Sequence, residues 1–256
     1  MSELRALIFD MDGTLADTER DGHRVAFNRA FVAAGLNWQW SASLYGQLLS
    51  VSGGKERIRH YLTYYCSDFT PPVDLDKFVA DLHASKSEHY RQLLAEGGIP
   101  LRPGVQRLLT EARNQGLRLA IATTSALPSV TALLESTLPP DGTAWFEVIA
   151  AGDIVPAKKP APDVYQYVLR VMELEAQHCL VFEDSAHGLK AASLTGLKTV
   201  ITVNDYTQNQ DFSEAILILD HLGDPQQPFT SKRGEVGNHS YLDLALARYL
   251  HDAELH

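Results

Sequence analysis

Three features of the 256-residue chain predict an α/β fold, a parallel sheet covered by helices on both faces and carrying a helical insertion after its first strand. A short apolar run containing Leu7, Ile8 and Phe9 lies near the N-terminus and stops at a cluster of polar residues. A long stretch of helical periodicity then follows, with no convincing strand between Ala16 and Ala95. From Pro103-Gly104 onward, helix-period and strand-like segments alternate, the pattern of successive βαβ units.

Leu4 to Phe9 reads as the first strand because it is apolar on both faces, as a parallel strand under two helical layers must be. Val25, Ala26, Phe27, Ala30, Phe31 and Ala34 recur at helical spacing, with Gly35 as the stop. Helices are predicted over about Lys55 to Tyr64 and Asp74 to Leu94, bounded by Gly53-Gly54 and Pro71-Pro72. Trp38, Trp40 and Tyr45 are expected to pack inside this helical insertion. Beyond it, helices at Val105 to Ala112, Val130 to Leu134, Pro162 to Glu173 and Ala186 to Thr195 alternate with strands at Leu117 to Ala122, Phe146 to Ala150, Cys179 to Phe182 and Thr199 to Val203. Asp205 to Asn238 is polar and interrupted by Gly and Pro, with an edge strand expected at Ala215 to Leu219, before a final helix at Leu242 to Leu250.

Composition removes several functional classes. Hydrophobic residues at 45% and charged residues at 21% suit a globular chain with a core of its own, and no apolar run approaches a membrane span. The net charge of −10 creates an acidic field that repels nucleic acid and anionic membranes. Cys66 and Cys179 are far apart and outside CxxC spacing, which argues against a zinc site or disulfide framework. Together with an N-terminus unlike a signal peptide, this predicts a cytoplasmic protein. The oligomeric expectation is a monomer.

Polar residues collect where such a sheet places its chemistry, beyond the carboxyl ends of the strands. Asp10 and Asp12 follow the first strand, Thr123 the second, and Glu183 and Asp184 another, while Lys159 precedes a helix. Singly, each has an ordinary reading: an Asp-x-Asp pair as a solvated loop, Thr123 as a helix cap, Lys159 as a surface lysine. Together they are carboxylates that repel one another unless a hard cation such as Mg2+ neutralises them, with an ammonium and a hydroxyl to grip anionic oxygens. That inventory suits a phosphoryl group. Asp10 is suited to attack phosphorus while Asp12 moves protons, provided that Gly13 and Thr14 let the loop curl.

Asp10-Met11-Asp12-Gly13-Thr14, Ala122-Thr123-Thr124, Lys159-Pro160 and Glu183-Asp184-Ser185, in this order, resemble the four motifs of the haloacid dehalogenase superfamily of phosphohydrolases. The resemblance implies a Rossmann-like core, about 1–15 and 101–256, with an α-helical cap, about 16–100. It further implies Asp10 as nucleophile, Asp12 as general acid and base, and Thr123 and Lys159 as phosphate ligands. Mg2+ would be held by Asp10, the Asp12 carbonyl and Asp184, with Glu183 binding it directly or through water. Asp17-Thr18-Glu19, Gly53-Gly54-Lys55-Glu56-Arg57, Pro156 to Pro160 and Asp220 to Pro225 are similar to the CbbY-like branch, whose members include xylulose-1,5-bisphosphate phosphatases. On that likeness the partner is a small phosphorylated sugar. Glu19, Lys55, Arg57 and Thr124 are the candidate substrate ligands, whereas His23 and His187 are assigned to scaffold or surface. Rival readings are a phosphomutase of the β-phosphoglucomutase kind, a phosphoglycolate-type phosphatase and, from another class, a phospho-aspartate receiver module.

Overall fold

Leu7, Ile8 and Phe9 leave strand β1 (Ala6–Phe9) no polar face to turn to water, and every residue of it is buried. In this computed structural model, which describes residues 3–51, 53–71 and 74–253, β1 lies inside a seven-stranded sheet. On one side come β2 (Arg118–Ala122) and then β3 (Val148–Ala150). On the other come β4 (Cys179–Glu183), β5 (Lys198–Thr202), β6 (Leu217–Leu219) and β7 (Ser231–Arg233). The first six strands pair in parallel and β7 runs antiparallel to β6. Strand order reverses between β1 and β4, the point at which an open α/β sheet forms its crevice.

Register puts the chemistry on one rim. Phe9 stands opposite Ile121 on one neighbour and Phe182 on the other, and Glu183 stands opposite Ile201. The next residues along these strands therefore emerge together. One face of the sheet, with Ala6, Ile8, Ala120 and Val181, packs on Val164, Tyr165, Val168 and Met172 of α7 and on Ala191 and Ala192 of α8; these helices span Asp163–Met172 and Ala186–Ser193. Helices α5 (Val105–Asn114) and α9 (Leu244–Asp252) also pack on the sheet, on β2 and β4. Each buried Val, Leu or Ile contributes roughly 1.5–3 kcal/mol, so the two-sided core keeps the rim rigid. Helix α6 (Leu127–Thr137) extends beyond the predicted Val130 to Leu134 because Pro128 stands at its start, where a missing N–H costs nothing.

The chain divides into two compact units, Met1–Asp17 with Pro100–His256, and Thr18–Ile99. The second is helical: a π-helical turn (Thr18–His23) leads into α1 (Arg24–Ala33), followed by α2 (Ala42–Leu48), α3 (Gly54–Tyr65) and α4 (Leu75–Ala95). Asp74 caps α4 by accepting from the backbone N–H groups of Asp76 and Lys77. Pro72 of the Pro71-Pro72 boundary lies outside the described residues. Trp38, Trp40 and Tyr45 pack within this unit, with Trp40 4.6 Å from Phe27, 4.9 Å from Phe31 and 5.3 Å from Tyr61, centroid to centroid.

Two elements depart from expectation. Helix α2 is too short to show a period and contains Gly46; it is held by the Ser41 Oγ cap and by the burial of Tyr45 and Leu48. The predicted edge strand shortens to Leu217–Leu219 and is not the edge, because β7 pairs beyond it. Ser231–Arg233 has no apolar alternation to read, and a charged outer strand of this kind discourages further pairing. Trp40→Ala is expected to cost the helical unit about 3–5 kcal/mol by opening a cavity among four aromatic rings. Urea unfolding measures it, and a loss under about 1 kcal/mol would contradict this packing.

Candidate active site

Asp10 is the first residue past β1, where its N–H still donates to Phe182 O at 2.9 Å and so continues the ladder. Beyond it the chain curls. The N–H groups of Thr14, Leu15 and Ala16 all point to Met11 O, and Gly13 N–H donates to Ala16 O. Gly13 has φ of +90°, and a Cβ there would meet Asp184 Oδ2 and Asn204 Nδ2. Glycine is thus required both by the backbone and by the close approach of the neighbouring strand ends.

Lys159 joins three strand ends. Its Nζ donates to Asp10 Oδ1 at 2.7 Å, to Ala122 O at 2.8 Å and to Glu183 Oε1 at 2.5 Å. Tyr165 on α7 also donates to Glu183 Oε1, at 2.6 Å, and its ring lies 5.2 Å from the Lys159 ammonium. The Asp184 N–H and Ser185 Oγ donate to Glu183 Oε2. Asn204, just past β5, donates to Asp184 Oδ2 at 2.7 Å. Ser125 donates its hydroxyl to Asp12 Oδ2 in a short hydrogen bond, and its N–H to Thr123 Oγ1 at 3.1 Å. Lys158, by contrast, is exposed and paired with Asp153.

Burial and crowding set the electrostatics. Burial pushes the Asp10 carboxyl up to about 7; Lys159 opposes the shift, while Glu183 and Asp12 add to it. The Asp184 carboxyl is raised well above the usual range by burial and by the charges of Asp10 and Glu183. For Lys159 burial acts downward, but Asp10 and Glu183 outweigh it and hold the side chain as an ammonium. One ammonium thus faces three carboxylates, and the surplus negative charge calls for protons or a cation.

The donor set fits a hard divalent ion. Asp10, Glu183 and Asp184 each bring a carboxylate oxygen to within 4.8 Å of the others, all in buried residues, and an all-oxygen cluster suits Mg2+. Asp10 Oδ2 and Asp184 Oδ1 accept no hydrogen bond among the described residues and would face the ion. Both Glu183 oxygens are engaged by donors, so Glu183 first of all anchors Lys159.

The substrate candidates are distributed unevenly. Within the helical unit Tyr45 donates to Glu19 Oε2 at 2.5 Å and accepts from Arg57 Nη1 at 2.8 Å, while the buried Arg57 also donates to Leu48 O and Val51 O. Lys55 and Thr124 are exposed and make no side-chain hydrogen bond among the described residues. Several polar groups escaped the sequence reading. Buried Lys86 lies 2.9 Å from His23 Nδ1 and over the rings of Phe27 and Tyr90; the spacing of His83, Lys86 and Tyr90 on one helix face was its signal. Asn204 was signalled only as a polar residue following a strand, and Tyr165 was absorbed into an apolar helix face.

The haloacid dehalogenase-like hydrolase family profile matches residues 4–196. The chain belongs to the haloacid dehalogenase-like hydrolases. It is 44% identical over 252 residues to a plasmid-borne CbbY protein of Cupriavidus necator, covering 98% of each chain. It is also similar to a crystal structure of a CbbY mutant from Rhodobacter sphaeroides in complex with xylulose-(1,5)bisphosphate, with TM-score 0.74 and 42% identity over 85% of this chain and 94% of that one. CbbY from the same organism in complex with phosphate gives TM-score 0.73 and 41% identity over the same shares. Within its family the chain is a CbbY-like phosphatase, a phosphoric monoester hydrolase.

Two predictions follow the charges. Lys159→Met leaves Asp10 and Glu183 buried without their cation and is expected to cost about 3–5 kcal/mol in metal-free urea unfolding, part of it recovered by adding Glu183→Gln. A loss under about 1 kcal/mol, or no recovery, would show that the ammonium does not hold the cluster. His23 is held well below its ordinary value by burial, then by Lys86, Arg57 and His83. The unfolded chain therefore takes up the proton first as pH falls below about 6.5, so stability present at neutral pH is lost in that range. His23→Gln should flatten the fall between pH 7 and 5, and an unchanged slope would refute the linkage.

Proposed function

We propose that the chain is a Mg2+-dependent phosphatase of phosphorylated sugars, working through a phosphorylated Asp10, with xylulose-1,5-bisphosphate as its favoured substrate. The observation that carries this reading is the Asp10 carboxylate at the crevice of the sheet, bonded to Lys159 through Oδ1 and clustered with the carboxylates of Glu183 and Asp184. The substrate is supported by the likeness to the CbbY mutant in complex with that bisphosphate.

A carboxylate oxygen of Asp10 attacks phosphorus as the bond from phosphorus to the sugar oxygen breaks, and the departing oxygen takes the proton of the Asp12 carboxyl. Asp12, now a carboxylate, removes a proton from water, whose oxygen attacks the acyl phosphate. Asp10 leaves as a carboxylate with inorganic phosphate as product, and Asp12 is protonated again. Ser125 holds Asp12 in place through Oδ2. Thr123 accepts from the Ser125 N–H, and its own O–H is assigned to a phosphoryl oxygen. Lys159 keeps the Asp10 oxygen it touches from rotating and lowers the charge met by an incoming phosphate. Mg2+, bound by Asp10, Asp184 and the Asp12 carbonyl with Glu183 beside them, would supply the charge that lets an anionic ester approach a carboxylate.

In the cap, Arg57 is assigned to a second phosphate and Glu19 to sugar hydroxyls, with Tyr45 holding the two in register. Lys55 and Thr124 complete the substrate set as exposed groups free to reorient. Binding energy taken from a second phosphate is remote from the reacting centre and available to orient it.

The test is phosphate release from a panel of sugar mono- and bisphosphates, with Mg2+ and with chelator, for the unaltered protein and Asp10→Asn. The ketopentose bisphosphate should be the best substrate, chelator should abolish release, and Asp10→Asn should lower turnover by more than about a thousandfold. Substantial turnover in Asp10→Asn would overturn the covalent route, and an isomerised sugar phosphate without free phosphate would point to a mutase instead.

A further inference from the structure

Arg102 has no role in the motifs above, yet its side chain bonds several segments beside them. It follows Leu101, which pairs with Ala16 in an isolated antiparallel bridge, and its own N–H donates to Leu15 O at 2.8 Å. Its guanidinium is buried. Nη1 donates to Gly13 O in a short hydrogen bond and to Thr202 O at 3.0 Å; Nη2 donates to Val203 O at 2.7 Å and Asp220 O at 2.6 Å. Nε lies 3.5 Å from Asp17 Oδ1. One planar fork therefore binds the nucleophile loop to the ends of β5 and β6.

The carbonyl at Gly13 matters because of its neighbours. Gly13 follows Asp12 directly, and its Cα faces Asp184 and Asn204 so closely that a Cβ would not fit. Asn204 begins two residues past β5, next to the Thr202 and Val203 carbonyls held by the same guanidinium. Holding these points together fixes the Asp12-Gly13 peptide relative to Asp184 and its Asn204 partner. The loop's own bonds, from Thr14, Leu15 and Ala16 to Met11 O and from Gly13 to Ala16 O, hold its shape, whereas Arg102 ties it to the ends of β5 and β6.

We propose that Arg102 is a positioning residue for phosphoryl transfer, setting the distance of Asp12 and its carbonyl from Asp184 without touching substrate. The proposal rests on Asp10, Asp12 and Asp184 forming the reaction and metal site as assigned above. Groups that orient ligands from outside the first layer typically govern metal affinity or activity by about 10–100-fold, and small misplacements of reacting groups are similarly costly.

Arg107 provides a matched control. It too bonds backbone carbonyls, Gly223 O at 2.8 Å and Leu242 O at 3.0 Å, and pairs with Asp224, but it makes no hydrogen bond to the nucleophile loop. Arg102→Lys keeps the charge and loses the fork, and as the mildest change it remains informative if Arg102→Ala fails to fold. Two readouts apply to the full chain: kcat and KM on the best panel substrate, and the Mg2+ concentration that half-saturates the rise in Tm without substrate. Arg102→Lys should lower kcat about tenfold or more and raise the half-saturating Mg2+ about fivefold or more, with KM within about twofold. Arg107→Lys should lower Tm while moving neither kcat nor the Mg2+ midpoint. If both variants behave alike, Arg102 is structural only and the proposal fails. If the unaltered protein shows no Mg2+-dependent rise in Tm, the metal reading falls and takes this proposal with it.

Discussion

A single buried ammonium governs the chemistry of the core. Lys159 reaches Asp10 past β1, the Ala122 carbonyl on β2 and Glu183 at the end of β4, so it ties three adjacent strands at the point where the sheet order reverses. It can do this because the strands are parallel and in register, which brings their carboxyl ends to one height. The same contacts leave the site short of positive charge, since the ammonium bonds two carboxylates of a cluster of three. In the proposed function a divalent cation and an anionic phosphate would together restore the balance.

The cost of that arrangement is met elsewhere. Asp10, Glu183 and Asp184 lie at the edge of a core packed on both faces, where Phe9 and Phe182 stack 4.7 Å apart on neighbouring strands. The apolar layers below resist the repulsion above. Tyr165 links the two, placing its ring in the core and its hydroxyl on Glu183, so that the orientation of the carboxylate is fixed by packing as well as by charge. Arg102 does the corresponding work on the other flank, with carbonyl partners in place of carboxylates.

What was readable in the chain followed from local chemistry. Leu7 to Phe9 announced a doubly covered strand, and Asp10, Lys159, Glu183 and Asp184 announced a polar cluster at the strand ends, which the structure brings together. Arg102 and Tyr165 were not readable, each for its own reason. Arg102 binds backbone carbonyls of Gly13, Thr202, Val203 and Asp220, which carry no residue identity and lie far apart along the chain. Tyr165 satisfies an apolar helix face with its ring, which hides the hydroxyl. Helix α2 and strand β7 escaped for want of length, one held by a cap and two buried side chains, the other by pairing with β6.

The claim on which the rest turns is that Asp10 itself takes the phosphoryl group. Rapid acid quench of the protein during turnover of a sugar bisphosphate, followed by peptide mass spectrometry, addresses it directly. If Asp10 takes the phosphoryl group, the peptide that contains it gains the mass of one phosphoryl group transiently, no later than free phosphate appears and not at all without Mg2+. Phosphate released in full with no phosphorylated Asp10 at any time sampled, even in a variant slowed at Asp12, would contradict it.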